Sequence, residues 1–504
     1  MTTLLPVLIV GAGPTGLTLA CDLARRQIPF RLIDASPVAF NGSRGKGTQP
    51  RSLEVLEDLG ALEPVLANGW FHMAIRFYRP DGQVEDIDVH KGRHARPDVP
   101  YGSTLMVPQW RVEAGIRDRM QALGGRVEYG VSLVTLGQDQ RRVTATLQHT
   151  DGRVETVHAS YLVGCDGGRS ATRKLVGFNF EGQTLESHRM LVGDVSATGL
   201  DRQYWHTWRS DQGFLGMCPL PGTDQYQFQA SGGLELPATP TLEIFQRIVE
   251  ERSGRTDIVL SAPTWMSLWR ANVRMVDHYR QGRIFLAGDA AHVHSPAGGQ
   301  GMNTGIQDAY NLAWKLAAVM RGANASLLDT YEEERLPVAQ WLLGLSSKLH
   351  MQISSTLRVA ARRDEETLQL GINYRHAALA QEQRTTPGQR LAGDRAPDAP
   401  GLRDALGAEH RLFDLLRGTH ATVLAFGETW KETLDAIDHH GDALKTLLIA
   451  PGYHDDTQGH AASAYGIEKP TLFVIRPDGY IGLVTEQRDS DVIDTYLSRI
   501  LAQP

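Results

Sequence analysis

Three glycines near the N-terminus have the spacing of a phosphate-binding turn. Gly11, Gly13 and Gly16 follow an apolar run at residues 4–10 and precede a helical pattern that starts at Leu17. Glycines in this context let backbone N–H groups and the positive end of the next helix approach a pyrophosphate. The predicted contact set is the whole turn, Gly11, Ala12, Gly13, Pro14, Thr15 and Gly16.

An acidic residue ends the next predicted strand and suits a sugar. The apolar residues 30–33 are followed by Asp34, close to the spacing of about 20 residues that such a βαβ unit uses. A carboxylate there can accept hydrogen bonds from ribose hydroxyls. The motif therefore predicts a dinucleotide ligand, and by itself it does not distinguish FAD from NAD.

Two later segments combine glycines with an acid in a different pattern. Residues 161–173 read YLVGCDGGRSATR, and residues 282–303 read GRIFLAGDAAHVHSPAGGQGMN. They resemble the DG and GD motifs of the class A flavoprotein aromatic hydroxylases, and the three clusters occur in that family's order. The resemblance implies FAD as the bound cofactor, NAD(P)H as a transient reductant and O2 as a cosubstrate.

The resemblance also implies where the cofactor contacts lie. Arg44 matches an arginine near the FAD phosphates, Gln109 matches a second contact, and Asp289 matches the acid on the ribityl chain. Asp166 belongs to the DG motif, although it could equally cap the turn that follows it. The remaining implied contacts are Pro296, Gly299, Gln300, Gly301, Met302 and Asn303.

The helix predicted to begin near Asn303 gives the GD segment a physical role of its own. Its first N–H groups have no partner within the helix, and its macrodipole places positive charge at that end. A flavin ring that becomes anionic on reduction would be stabilised there.

Other chemistries find little support in the sequence. His292 and His294 lack Cys, Asp or Glu neighbours at metal-binding spacing, so no metal site is predicted. No GxSxG elbow or catalytic cysteine context occurs, which argues against a hydrolase. No general acid or base is identifiable either, so the catalytic residues are left unassigned.

The composition is that of a globular protein with a small ligand. The chain has 504 residues, enough for about three or four domains. Its 58 acidic and 51 basic residues give a net charge of −7, so neither nucleic acid nor an anionic membrane is expected as a partner. The three cysteines form no CxxC pair, and no signal peptide or membrane-spanning run is found, so we expect a cytoplasmic location.

We predict an α/β fold in which two domains are interleaved. A Rossmann-like FAD-binding domain comprises residues 1–71, 102–180 and 276–385. An antiparallel β-sheet substrate domain comprises residues 72–101 and 181–275, where alternating residues flank turn dipeptides.

The third unit is predicted at residues 386–504, after a segment read as helical from about 330 to 380. It resembles the thioredoxin-like appendage of the phenol and polyketide hydroxylase branch, on the evidence of Pro470 before an apolar strand and the turn at Asp478 and Gly479. No cysteine lies in this unit, so a disulfide-exchange role is excluded.

The predicted function is hydroxylation of a phenolic or polycyclic aromatic small molecule through a flavin C4a-hydroperoxide, as the resemblance implies. A Baeyer–Villiger or epoxidising oxygenase is an alternative, and so is a non-catalytic flavin-binding redox sensor. A homodimer is possible. The candidate substrate contacts are the aromatic and polar residues of the β-domain, Trp205, Trp208, Phe214, Met217, Phe228 and Gln229.

Overall fold

The computed structural model describes residues 4–89, 91–232, 239–294, 299–355 and 367–502. Among these residues no helix combines the length and the apolar character that crossing a bilayer requires. Three sheets account for most of the strands, and each lies largely in one of the predicted units.

The strands, in chain order, are β1 (Leu5–Val10), β2 (Phe30–Asp34), β3 (Gly47–Thr48), β4 (Ala74–Tyr78), β5 (Val84–Ile87), β6 (Leu105–Met106), β7 (Val127–Tyr129), β8 (Val131–Gln138), β9 (Val143–His149), β10 (Val154–Gly164), β11 (Glu181–Ala197), β12 (Tyr204–Ser210), β13 (Gly213–Pro219), β14 (Gln225–Ser231), β15 (Leu260–Met275), β16 (Arg280–Gln281), β17 (Ile284–Leu286), β18 (His292–Val293), β19 (Gln381–Glu382), β20 (Leu402–Arg403), β21 (Glu409–His410), β22 (Ala421–Phe426), β23 (Leu444–Ile449), β24 (Thr471–Ile475) and β25 (Ile481–Thr485).

The α-helices are α1 (Pro14–Arg25), α2 (Pro50–Leu59), α3 (Glu63–Leu66), α4 (Gln109–Ala122), α5 (Ala171–Val176), α6 (Leu242–Ser253), α7 (Gly301–Met320), α8 (Asp329–Ser355), α9 (Leu412–Leu416), α10 (Lys431–Ala436), α11 (His460–Tyr465) and α12 (Ser490–Ile500).

The first sheet is built around the N-terminal strand. β1 lies between β2 and β10, all three are parallel, and the order across the sheet is β16-β17-β10-β1-β2-β7. Parallel strands joined by helices are buried on both faces, which explains the unbroken apolar runs of β1 and β17. Helix α1 returns the chain from β1 to β2 and packs against α7. The predicted α/β fold is confirmed.

The second sheet has eight strands in the order β18-β15-β11-β14-β13-β12-β4-β5. Successive side chains of a strand point to opposite faces, so the sheet has two distinct surfaces. One surface packs on α6, where Leu191, Phe228 and Ile248 are fully buried. The other faces the first domain, because Asp194 of β11 accepts a hydrogen bond from the Ser43 N–H at 2.6 Å. We call this second surface the inner face.

The third sheet has the order β19-β25-β24-β22-β23, with parallel and antiparallel pairs, and is consistent with the predicted thioredoxin-like unit. Trp314 of α7 packs into the core beneath it. Two strands fall outside the predicted boundaries. β19 precedes the expected start at residue 386 because it pairs with the edge strand β25, and β18 leaves the first domain to pair with β15.

The segment predicted to be helical to residue 380 is helical only in part. Within the described residues, 367–379 form turns, and Gln369 has a φ of 61° that a right-handed helix does not contain. The helix prediction was wrong for these residues, because the spacing of apolar residues does not show where the backbone adopts a positive φ.

A buried ion cluster joins the third sheet to helices α7 and α8. Arg476 donates to the two carboxylate oxygens of Glu334 at 2.6 and 2.9 Å, and Lys315 of α7 donates to the same carboxylate at 2.7 Å. Asp478 pairs with the other side of the Arg476 guanidinium. All four side chains are at most 1% exposed, so each charge is compensated only by its partners.

Replacing Arg476 with Met should destabilise the protein strongly, because the buried Glu334 and Asp478 would lose their shared cation. The expected cost is about 3–5 kcal/mol, measured as a lower thermal unfolding midpoint. Arg488→Met is the control, since Arg488 is exposed and should tolerate the change. Equal midpoints for the two variants would contradict the assignment.

Candidate cofactor and substrate site

The glycine turn has the geometry of an anion cradle. Gly11 has a φ of 101°, and side chains at Gly11 or Gly16 would collide with backbone, at Cys165 and within the turn respectively. Gly13 differs, because a Cβ there would meet nothing within 4 Å. Gly13 is also the N-cap of α1, no side chain caps that helix, and Pro14 follows it. The turn therefore offers open space beside uncapped N–H groups, which fits a pyrophosphate.

Asp34 holds this turn in place. Its carboxylate accepts the Ala12 N–H at 2.7 Å and the Ser36 N–H at 2.8 Å. A carboxylate has about four acceptor positions, so two backbone bonds leave capacity for ribose hydroxyls. The predicted role of Asp34 is compatible with this geometry, and the structure adds a second role in shaping the turn.

Gln109 links a loop that carries Arg44 to helix α4. Its Oε1 accepts the Gly45 N–H at 3.1 Å, and its Nε2 donates to Glu113 at 2.8 Å. Arg44 is exposed beside this contact, with its guanidinium 4.5 Å from the Phe40 ring centroid. Both predicted contacts thus lie close together, one in the loop before β3 and the other at the start of α4.

Glu113 is a buried acid that sequence reasoning missed. Burial raises the pKa of Glu113 to about 7, against the hydrogen bond from Gln109 and the positive charges of Arg117 and Arg44. A carboxyl with that pKa changes charge near neutrality, next to the predicted phosphate contacts. Nothing in its sequence context marks it, because the shift arises from packing.

The DG motif caps a helix and braces the GD motif. Asp166 accepts the Ser170 hydroxyl at 2.5 Å and the Thr172 N–H at 3.0 Å, so it holds the first turn of α5, and its contact with the cofactor stays a prediction. Arg173 donates to the Ala290 carbonyl at 2.9 Å and to the Gly168 carbonyl at 2.7 Å. The motif therefore connects the segments that follow the adjacent parallel strands β10 and β17.

Asp289 faces the start of helix α7. It is exposed, its carboxylate makes no hydrogen bond to the residues that the structure describes, and its Oδ1 lies 3.8 Å from where a Cβ on Gly301 would be. The N-cap of α7 is Gln300, and its side chain does not cap the helix. The first turn thus presents backbone N–H groups beside a carboxylate with spare acceptors. This donor set fits a flavin, with hydroxyls on the acid and an electron-rich ring edge at the helix end.

A buried carboxylate supports this arrangement from behind. Asp308 of α7 accepts the Gly288 N–H at 3.0 Å, His292 Nε2 at 2.8 Å and Arg335 Nε at 2.7 Å. Burial alone would raise the pKa of Asp308, but the charge of Arg335 and the contact with His292 hold it below its usual value. His292 is therefore a core hydrogen-bonding residue. Arg335 was not predicted, since it lies on another helix.

Two predicted contacts, Gln300 and Asn303, use their side chains elsewhere. Gln300 is buried and donates to the Thr367 carbonyl at 2.9 Å. Asn303 accepts the Gln49 N–H at 2.7 Å and donates to the Gly47 carbonyl at 2.9 Å. Each of these side chains ties a loop to α7, so the cofactor contact predicted for the two residues stays a prediction that their backbone groups can meet.

The other predicted GD residues have mixed outcomes. Gly299 has a φ of 66°, a conformation that favours glycine. Met302 is half-buried against the core of the first domain. Pro296 lies outside the residues that the structure describes.

The six predicted substrate contacts divide between the two faces of the second sheet. A Cβ on Gly216 would lie 3.0 Å from the Phe214 ring and 3.2 Å from Trp205 Nε1, which places these side chains on one face. Gln229 pairs with Gly216 in the strand register and shares that inner face. The opposite face, in the core against α6, holds Trp208, Met217 and Phe228.

The prediction is wrong for Trp208, Met217 and Phe228. Phe228 stacks on Phe245 of α6 with ring centroids 4.0 Å apart, and the three side chains are at most 5% exposed. The error has a simple cause, since residues that alternate along one strand cannot all face one ligand.

The inner face carries further residues that were not predicted. Trp265 and Trp269 of β15 stand opposite Asp194 and Met190 of β11, and both tryptophans are half-buried. The alternation of Trp265, Ser267 and Trp269 was the available signal.

A polar patch interrupts this aromatic surface. Lys46 donates to Gln227 at 2.6 Å and lies 3.9 Å from the Trp205 ring centroid. Burial raises the pKa of Asp194 to about 6, against the Ser43 hydrogen bond and the charge of Lys46. A face that combines aromatic side chains with a charged group suits an aromatic ligand that carries a polar substituent.

Comparison with protein families finds two matches. Residues 4–346 match the model described as "FAD binding domain", and residues 435–504 match "Phenol hydroxylase, C-terminal dimerisation domain". The first match covers the predicted dinucleotide and substrate units together.

Individual relatives agree with these families over nearly the whole chain. A flavin-dependent monooxygenase of Mycobacteroides abscessus is 43% identical over 98% of this chain and 100% of its own length. Pentachlorophenol 4-monooxygenase of Sphingobium chlorophenolicum is 33% identical, over 94% and 93%. Among solved structures, aklavinone-11 hydroxylase in a ternary complex with FAD and aklavinone has a TM-score of 0.83 at 26% identity, covering 99% and 100%.

Asp289→Ala should yield a protein that purifies without yellow colour. A lost hydrogen bond to a charged group costs about 1.5–3 kcal/mol, so the dissociation constant of FAD should rise roughly tenfold or more. The measurement is flavin absorbance after gel filtration, followed by titration with FAD. Asp224→Ala, at another exposed aspartate, is the control. Full flavin retention in Asp289→Ala would refute the assigned contact.

FAD affinity should fall as pH rises through about 7, because ionised Glu113 adds negative charge beside the predicted phosphate contacts. Below that pH the neutral acid leaves the diphosphate undisturbed, so binding is tightest there. Glu113→Gln, which keeps a polar partner for Gln109, should flatten this dependence. Fluorescence titrations between pH 6 and 8 provide the measurement, and parallel curves for both proteins would exclude the effect.

Proposed function

Since the chain belongs to the FAD-binding family of flavoprotein monooxygenases, we propose that it hydroxylates a phenolic or polycyclic aromatic compound with NAD(P)H and O2. The observation that carries the proposal is the inner face of the second sheet. There Trp205 of β12 shares one face of the sheet with Trp265 and Trp269 of β15, with three strands in between, and this face is turned toward the first domain.

Different groups of residues would bind the two halves of the cofactor. The glycine turn and Asp34 would hold the adenosine diphosphate half of FAD, and Asp289 with the first turn of α7 would hold the flavin half. Bound FAD supplies the redox chemistry with NAD(P)H and O2. Gln49 and Asn303 tie the loop at 41–49 to α7 and keep that helix end in place.

The tryptophans of the inner face and the charge of Lys46 would position the substrate. The tryptophans of the inner face exclude water from the reacting ring, which protects an oxidising intermediate from wasteful decay. Lys46, held by Gln227, supplies positive charge where a phenolic oxygen would lie, and that charge favours the electron-rich phenolate. The relative named for pentachlorophenol supports a phenolic substrate.

We also propose a homodimer. The support is the match of residues 435–504 to a C-terminal dimerisation domain. Sedimentation velocity of the full chain tests it, and a purely monomeric protein would exclude it.

The test of function is a substrate screen on the FAD-loaded protein. Phenols, naphthoquinones and ansamycins are added singly while NADPH oxidation, peroxide and product mass are recorded. Hydroxylation predicts stimulated oxidation with the gain of one oxygen atom on the aromatic ring. An ester or epoxide product would favour the alternative oxygenases, and a flavin that NADPH never reduces would favour the redox sensor.

Two tryptophans of strand β12 provide a matched pair for the substrate surface. Trp205→Leu should raise KM roughly fivefold, the value of about 1 kcal/mol of ring stacking, and should lower the thermal midpoint less than a core substitution, because Trp205 is only partly buried. Trp208→Leu should lower the midpoint and spare KM, because Trp208 lies in the core against α6. Equal effects of both variants on KM would remove the inner face as the substrate surface.

A further inference from the structure

Two histidines and an aspartate converge in the C-terminal unit, far along the chain from the cofactor motifs. His439 and His440 belong to the 3-10 segment Asp438–Ala443, and Asp494 belongs to α12. We infer that these three side chains form a binding site for a divalent transition-metal ion, with Zn²⁺ as its best-matched occupant.

The separations of the ligand atoms suit a tetrahedral zinc ion. His440 Nε2 and His439 Nε2 lie 2.9 and 3.7 Å from the same oxygen, Asp494 Oδ1, and all three groups offer ligand atoms within 4.8 Å of one another. Zinc bonds of about 2.0–2.1 Å to nitrogen and oxygen require ligand atoms about 3.3 Å apart. The two distances bracket this value, so small rotations of the rings would complete the geometry.

A backbone hydrogen bond orients the His439 ring for metal binding. Its Nδ1 lies 3.2 Å from the Ala436 carbonyl oxygen, which can only accept a hydrogen bond, so Nδ1 carries the proton. Nε2 is then the ring atom left to bind a metal, and it points toward the Asp494 carboxylate oxygen at 3.7 Å. A backbone carbonyl on the second ring nitrogen is also the usual support of a metal-bound histidine.

Solvent access leaves room for the remaining ligand. The side chains of His439 and Asp494 are 51% and 33% exposed, whereas that of His440 is 8% exposed. Three protein ligands and a water molecule are a common zinc coordination. Nitrogen and oxygen donors together favour zinc over magnesium or calcium, which prefer oxygen alone.

The site would fasten the segment before β23 to the last helix of the chain. These elements lie in the part that matches the dimerisation family, so the ion would stabilise that unit rather than take part in oxidation. The expectation of no metal rested on His292 and His294. Asp494 lies 54 residues from His440, so sequence spacing could not reveal this cluster.

The test is zinc titration of tag-free, chelator-treated full-length protein loaded with FAD. Calorimetry should show one saturable equivalent of Zn²⁺, Co²⁺ should give the visible absorption of a tetrahedral site, and zinc should raise the thermal midpoint. His440→Gln keeps an amide donor for Asp494 but removes the imidazole ligand, and Asp494→Asn removes the carboxylate. Both should weaken zinc binding roughly tenfold or more.

His410→Ala is the matched control. His410 contacts Asp404 at 2.9 Å in the same unit, and among the described residues no third ligand atom completes a metal-binding group with this pair, so its loss should leave the titration unchanged. Flavin content should be equal in all variants, which separates the site from the cofactor. Absence of saturable binding, or binding that survives both ligand variants, would overturn the inference.

Discussion

The fully buried Asp308 carboxylate is the interaction on which the cofactor site depends. It receives the Gly288 N–H from one element, His292 from a second and Arg335 from a third, and none of these side chains reaches solvent. Each partner would be costly to bury alone, so the three elements can pack only together. Asp289 and the N-terminus of α7 therefore meet because Asp308 holds the turn behind them.

Helices α7 and α8, which carry Asp308 and Arg335, also contact the third sheet. Glu334, the neighbour of Arg335 on α8, binds Arg476 and Lys315 in a cluster that is sealed from water. Trp314 of α7 fills the core beneath that sheet. The C-terminal unit is thus continuous with the packing behind the flavin site, whatever its contribution to assembly.

In the second sheet, the two faces of a single strand have different roles. Trp205 and Trp208 differ only in which side of β12 they occupy, and that difference makes one a candidate ligand contact and the other core. Aromatic content was a reliable guide to the sheet as a whole. Aromatic content could not separate ligand contacts from core residues, because that distinction depends on which face of the sheet α6 covers. The strand register supplies that information, and it also adds Trp265 and Trp269.

The local sequence pattern was sufficient to predict those parts of the site that are formed by residues close together in the chain. The glycine turn, Asp34 after its strand and the start of α4 at Gln109 follow from backbone geometry over a few positions. Only the tertiary structure revealed three further features. These are the raised pKa of Glu113, the pairing of Asp308 with Arg335, and the hydrogen bonds of the Gln300 and Asn303 side chains. Burial and hydrogen-bond partners arise between segments far apart in the chain, and they alone decide which polar group supports the fold and which is left for a ligand.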